Sequence, residues 1–473
     1  MTKQPIWQWS AVETAAAVRK GKVSAVDVTR AHLARMKSAN PAVNAVVVDL
    51  SAEAVKAAQA ADRAVQKGSA LGPLHGVPVT VKINVDVKGQ ANSNGVVAFK
   101  DNIAPDDSAV VRNLRQAGAI IIGMTNTPEF SLRGFTDNPL HGLTLNPWDH
   151  AITCGGSSGG AGAATALGIG AIGHGNDIGG SLRWPAHCNG LSTIRPTQGR
   201  IPAFNPSAAA ERPMLAQMMS AQGPLAREVR DVRLALEVMS GRDARDPFWA
   251  PAPLKGPKPK APIKVGLARI PTDMDVDPQV IALQRQAADH LSDAGYAVKE
   301  IDVPDLTGLW QLWCNLLITE TRVTGEKLMR EVGSKDFLKS LDGFSAMAKI
   351  LDLPGFMAGM AERTGRLRAW MTVLEDYPVV LTPTTPRQTP LVNADLGGDA
   401  AVKDIFFNDM RFISALNVLG LPAAVVPVGI LNDRPVGVQI VATRFREDLA
   451  LDAAAAIEKR VGVLARTLWG REG

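Results

Sequence analysis

Apolar and polar positions switch between two periods along the first quarter of the chain. Asn44 to Val48, Val77 to Val85 and Ala119 to Gly123 are short apolar runs of the length and composition of buried strands. Between them, Ser51 to Lys67 is an alanine-rich helical pattern closed by Gly68, and Val110 to Ala117 reads as a further helix. Upstream, Ser24 suits the N-cap of a helix through Lys37, which Asn40-Pro41 is expected to end. Strands alternating with helices predict α/β architecture around a central mixed, largely parallel sheet.

The pattern continues as mixed helix and strand to Met239. Residues 246–262 are rich in proline and lysine and read as an exposed connector, after which Ile263 to Leu267 resumes as strand. Helices rich in Trp, Met and Leu are expected over Leu306 to Val332 and Phe344 to Leu374. No internal repeat interrupts this order. We therefore expect one compact α/β/α domain over 1–473, with the connector inside it and the chemistry concentrated in 70–200.

One residue does not fit its setting. Lys82 lies in a strand pattern among Val79, Val81, Ile83 and Val85. A free lysine has a pKa of about 10.4, so keeping it neutral at pH 7 costs about 4.6 kcal/mol. Burial lowers a lysine pKa by up to about 3–5 units, which covers most of that cost. A lysine in this place is fitted to act as a neutral base.

Downstream stand Cys154-Gly155-Gly156-Ser157-Ser158-Gly159-Gly160 and Asn176-Asp177-Ile178-Gly179-Gly180-Ser181-Leu182-Arg183. Glycine lets backbone N–H groups approach a reacting atom closely. A hydrolase needs several such donors aimed at one developing oxyanion, each worth about 2.7–4 kcal/mol of barrier. Ile178, Gly179, Gly180 and Ser181 can supply them from the backbone, leaving the Ser181 hydroxyl to attack. Two glycine-framed serines and one buried lysine are the parts of a Ser-Ser-Lys hydrolase.

Other motif readings fail on context. Gly155-Gly156-Ser157-Ser158-Gly159 satisfies the G-x-S-x-G elbow, but Asn146 to Cys154 form no strand ahead of it. Gly168-Ile169-Gly170-Ala171-Ile172-Gly173 satisfies the dinucleotide fingerprint, but a small-residue helix pattern precedes it and the Asn176 loop follows. No cofactor is expected. The seven histidines show no metal-ligand spacing, so no metal is expected, and His174 and His187 read as hydrogen-bonded structural residues.

The chain resembles the amidase signature family. The resemblance rests on Leu74 to Lys82, Gly123 to Phe130, Asn146 to Asp149, Gly155 to Gly160, Asp177 to Arg183, Thr382 to Pro386 and Leu419 to Ala423, in that order across most of the sequence. It implies an amidase that hydrolyses a carboxylic amide to an acid plus ammonia or amine through an acyl-enzyme. Ser181 would be the nucleophile, Ser157 the bridging serine at a cis peptide, and Lys82 the base. Asp177 and Arg183 would support the loop. The family's acyl pocket borders the stretch after Thr-Asn-x-Pro, which implicates Ser131, Leu132 and Arg133; an arginine in such a loop more often faces water or braces the fold, and holding a substrate carboxylate is the lesser alternative. Many members carry an acid after the lysine where this chain has Ile83, a change expected to lower the pH optimum and to set the chain apart from amidotransferase subunits.

Two rival readings keep this fold: a glutaminase subunit of a tRNA-dependent amidotransferase, and a non-catalytic scaffold. All three reacting positions are intact, which counts against the scaffold. Composition narrows the partners. The 46% hydrophobic share suits an ordinary enzyme, and a net charge of +5 without any basic block argues against nucleic acid. Cys154, Cys188 and Cys314 build no disulfide framework, and no signal peptide or membrane span is visible. A cytoplasmic location is expected, with a small-molecule amide as substrate and a homodimer as the default assembly. The acyl group stays open among aliphatic, aryl, indoleacetyl-like and amino-acid types.

Overall fold

The strand patterns become the middle of a large sheet. The computed structural model describes residues 4–471. Its strands are β1 (Val46–Asp49), β2 (Pro78–Lys82), β3 (Ile120–Thr125), β4 (Ile172–Asp177), β5 (Ser192–Arg195), β6 (Ala221–Ala226), β7 (Lys264–Ala268), β8 (Ala297–Ile301), β9 (Val379–Pro383), β10 (Ala423–Leu431) and β11 (Arg434–Ala442). They form one 11-stranded sheet in the order β1-β3-β2-β4-β6-β5-β10-β11-β9-β7-β8. The sheet is mixed, as expected. Parallel pairing gathers β3, β2 and β4 on one side and β9, β7 and β8 on the other. Antiparallel pairs through β6, β5, β10 and β11 join the two groups. Strands on both sides of the 246–262 connector share this sheet, and the connector itself carries neither helix nor strand.

Period-two alternation sorts side chains between the two faces. Ile120 and Ile122 enter one apolar cluster while Ile121 enters another, and Val425 parts from Ala424 and Val426 in the same way. Helices therefore cover the sheet on both faces, and the strands are buried almost throughout.

Two boundaries differ from expectation. The helix capped by Ser24 runs from Ala25 to Val43, straight through Pro41. Proline removes one helical donor, but here it lies in the last turn, and Asn44 in the left-handed region (φ 53°) ends the helix instead. The Asn40 side chain then accepts from the Ala45 and Val46 N–H groups, starting β1. The two long downstream helices are four: Leu306–Thr324, Glu326–Val332, Lys335–Met347 and Leu353–Asp376. Gly325 breaks the first, and the Ser334 and Asp352 side chains cap the later starts.

Topology places the site. β2 and β4 are parallel neighbours, so their carboxyl ends open on one edge, the usual location of a site in an α/β sheet. Lys82 is the last residue of β2 and Asp177 the last of β4, and the helix Gly159–Ala166 begins directly after Ser157 and Ser158.

Candidate active site

The Lys82 amine is fully buried, and its Nζ donates to Ser157 Oγ at 2.7 Å and to Asn176 Oδ1 at 2.9 Å. Burial drives its pKa well below the ordinary lysine value, and the attraction of Asp177 recovers only part of that fall. Ser157 follows a cis peptide from Gly156. Its hydroxyl and that of Ser181 open on the same cavity, where Ser181 keeps slight exposure. A buried lysine thus bonds one serine hydroxyl, and that serine borders the same cavity as Ser181.

The loop carrying Ser181 is clamped from behind. Asp177 accepts from Arg183 Nε and Nη2 at 3.0 Å each, in a fully buried bidentate pair. Burial pushes the Asp177 carboxyl up, but the Arg183 charge outweighs it and holds the group well below the usual carboxylate range. The other Arg183 donors reach Gln439 Oε1 (2.7 Å) and Asn417 Oδ1 (2.6 Å).

In a trans peptide the C=O of one residue and the N–H of the next point opposite ways. Trp313 Nε1 donates to the Ile178 carbonyl (3.0 Å), Ser414 Oγ to that of Gly179 (2.7 Å) and the Trp184 N–H to that of Gly180 (2.7 Å). Each tie fixes the direction of the following N–H. Ile178, Gly179 and Ser181 also line the cleft. The glycines are required here: a Cβ on Gly179 would stand 2.6 Å from Trp313 Cζ2, and Gly180 has φ 115° with Ile413 Cδ1 at 2.7 Å from a Cβ.

One expected oxyanion donor is otherwise engaged. The Gly180 N–H donates to Asp177 Oδ1 at 2.8 Å, so the expected set of four reduces to Ile178, Gly179 and Ser181. Arg133 braces the fold, the more ordinary of its two expected roles. It lines the cleft with Ser131 and Leu132, but its guanidinium bonds Asp395 at 2.8 and 2.9 Å and Asn393 at 3.0 Å. Its charge is matched inside the protein, so it offers a substrate carboxylate no open cation.

Sequence reasoning assigned no role to the asparagines. Asn176 Oδ1 accepts from both Lys82 and Asn84 Nδ2 (3.2 Å), and Asn176 Nδ2 donates back to Asn84 Oδ1 at 2.9 Å. Asn84 also donates to Ser131 Oγ (3.0 Å), which donates to Asn94 Oδ1 (2.7 Å). This network holds Phe130 and Ser131 in the left-handed region at φ 54° and 58°. Asn84, two residues beyond Lys82, was the available signal. His174 and His187 are buried, bonded to Gln222 Oε1 (2.8 Å) and the Gly437 N–H (3.1 Å), and burial takes both pKa values down to about 4.

The cleft has two unlike halves. One, of about 580 Å³, is walled by Trp313, Leu317, Phe337, Phe344, Phe406 and Met410. The other, of about 1170 Å³, carries Asn84, Asn94, Asn176, Asn205 and Arg212. Ser181 borders both. Among the described residues no cluster of three or more His, Cys, Asp or Glu side chains is arranged to hold a metal ion.

The amidase family model matches residues 27–451. The chain belongs to the amidase family. It is 65% identical to the indoleacetamide hydrolase of Bradyrhizobium diazoefficiens, over 99% of this chain and 89% of that protein. A glutamyl-tRNA(Gln) amidotransferase subunit of Moorella thermoacetica is 29% identical over 96% of this chain and 97% of its own length. The solved structure of a 6-aminohexanoate cyclic dimer hydrolase with its substrate superposes with a TM-score of 0.83 at 29% identity, covering 98% of this chain and 99% of that one. This protein is accordingly an amidase, acting on carbon–nitrogen bonds other than peptide bonds. Among the described residues no helix is long and apolar enough to cross a membrane.

Proposed function

We propose that the amidase takes a primary arylacetamide of the indoleacetamide kind and cleaves it through an acyl-enzyme on Ser181. The observation that carries the reading is the buried 2.7 Å contact between Lys82 and Ser157. Neutral Lys82 draws the Ser157 proton as Ser157 Oγ takes that of Ser181, and Ser181 Oγ attacks the amide carbon. The same path returns a proton to the departing nitrogen. Ile178, Gly179 and Ser181 N–H groups receive the oxyanion, with Asp177 and Arg183 holding their loop. The acyl group enters the aromatic half of the cleft, whose Trp, Phe and Met walls suit a flat bicyclic ring. The proposed relay runs through protein side chains alone, so the reading calls for no cofactor.

A relative named for indoleacetamide at 65% identity supports this substrate over glutamine, since the amidotransferase relative reaches only 29%. The three buried free thiols agree with a reducing cytoplasm, and a homodimer is the assembly to test by sedimentation. The deciding experiment is ammonia release by the purified chain from aliphatic, aryl, arylacetyl and amino-acid amides including glutamine, with Ser181→Ala alongside. Arylacetamide turnover that vanishes in the variant is expected. Turnover confined to glutamine, or surviving Ser181→Ala, refutes the reading.

A further inference from the structure

The asparagine-bearing half of the cleft is larger than a departing ammonia requires. Its wall holds Ser157 and Ser181 together with one cation, Arg212, and one carboxylate, Glu320, among the described residues. Glu320 is engaged: both its oxygens accept from the Leu215 N–H at 2.9 Å. Arg212 is different. It is half-buried, and its guanidinium has no hydrogen bond or salt bridge among the described residues. The acids whose charges reach it are Asp246, whose oxygens accept from the Ala203 and Phe248 N–H groups at 2.7 and 2.9 Å, and exposed Glu211.

With only the charges of Asp246 and Glu211 reaching it and no direct partner, the Arg212 guanidinium has its donors available to a ligand. Carboxylate is its natural complement, taken through two parallel charge-assisted bonds. The acyl group fills the aromatic half, so a carboxylate beside Arg212 belongs to the amine portion of the substrate. Arg212, Val85, Asn205 and Gln222 also border a neighbouring cavity of about 950 Å³, giving that amine portion further space.

We propose that the enzyme has a second activity, hydrolysis of N-acyl amino acids, with Arg212 holding the carboxylate of the departing amine. The proposal rests on Ser181 as nucleophile and on the aromatic half as acyl pocket. Ser181 Oγ bonds to the acyl carbon, the carbon–nitrogen bond breaks, and the nitrogen takes the relayed proton and leaves as a free amino acid. Water then adds to the acyl carbon, expels Ser181 Oγ and leaves the carboxylic acid, so one water is consumed per bond cleaved.

The test uses arylacetyl conjugates of glycine, β-alanine and γ-aminobutyrate, each beside its carboxamide isostere, with arylacetamide run in parallel. Wild type is expected to favour the carboxylate over its isostere by about 10–100-fold in kcat/KM at the best chain length, the usual worth of a hydrogen bond to a charged group. Arg212→Gln should erase that ratio through KM, and Arg212→Glu should turn it toward amines bearing a cation. Arylacetamide turnover with no carboxylate conjugate accepted at any length overturns the proposal alone. So does a ratio that survives Arg212→Gln. Silence on arylacetamide as well overturns the reading beneath it.

Discussion

The two halves of the cleft are built in opposite ways. Lys82, Ser157, Asn176 and Ser181 come from adjacent strands and the loops at their ends, where Lys82 Nζ stands 2.7 Å from Ser157 Oγ and 2.9 Å from Asn176 Oδ1. The aromatic half is assembled from Trp313 and Leu317 on one helix, Phe337 and Phe344 on another, and Phe406 and Met410 from a third segment. Proton transfer demands fixed atoms at short range, so it recruits rigid strand ends and obligatory glycines. An acyl pocket demands only apolar volume of the right shape, which many combinations of side chains supply. Chemistry is encoded locally in this chain, and selectivity is spread along it.

The sharpest way to break this division is to remove the nucleophile. Ser181→Ala should lower kcat by about 10⁴-fold or more on every amide alike, because it acts before the acyl group matters. Circular dichroism should show an intact fold. A loss that varied strongly between acyl groups would show that the halves are not separable.

The same division explains what could be read in advance. Lys82 was legible because a lysine among valines violates its own strand pattern, and Ser157 and Ser181 because runs of glycine adjoin them. The central strands were legible because each is buried along its whole length. Asn176 carried no such signal, since a loop asparagine is ordinary until its oxygen is found on Lys82. That Arg133 braces the fold could be expected, but not through which partner, because Asp395 lies 262 positions away. The helix through Pro41 was misread because local propensity ended it at Asn40, whereas the start of β1 set the real end.

That distant pair braces the wall of the aromatic half and offers the next test. Asp395→Asn leaves the Arg133 guanidinium buried without its counter-charge, and breaking a buried pair in this way costs about 3–5 kcal/mol. Denaturant unfolding should show that loss, whereas Asp302→Asn, opposite exposed Arg269, should leave stability almost unchanged. Equal effects would mean that the buried pair braces the wall no more than a surface pair does.

A smaller change should act on selectivity. Phe344 lines the aromatic half and contacts no relay residue by any hydrogen bond. Phe344→Ala should lower kcat/KM for arylacetamide relative to a short aliphatic amide by about 10–200-fold, the range for lost apolar pocket contacts. An unchanged ratio would move the acyl group out of this half.

The subtlest test asks what the catalytic half costs the fold. Unfolded, Lys82 titrates near 10.4; folded, burial holds it well below that value. Between the two values the unfolded chain binds the extra proton, so stability rises with pH across the window. Lys82→Met removes that penalty while keeping an unbranched apolar chain. The variant should therefore melt a few degrees above wild type at pH 7, although it is inactive. The gain should shrink steadily as pH approaches about 10.4 and then vanish, because there both states of the wild type carry a neutral amine. Calorimetric scans of the two proteins from pH 6 to pH 10 measure this directly. A difference in Tm that stays constant with pH would show that Lys82 is protonated in the folded enzyme, and the proposed relay would lose its base.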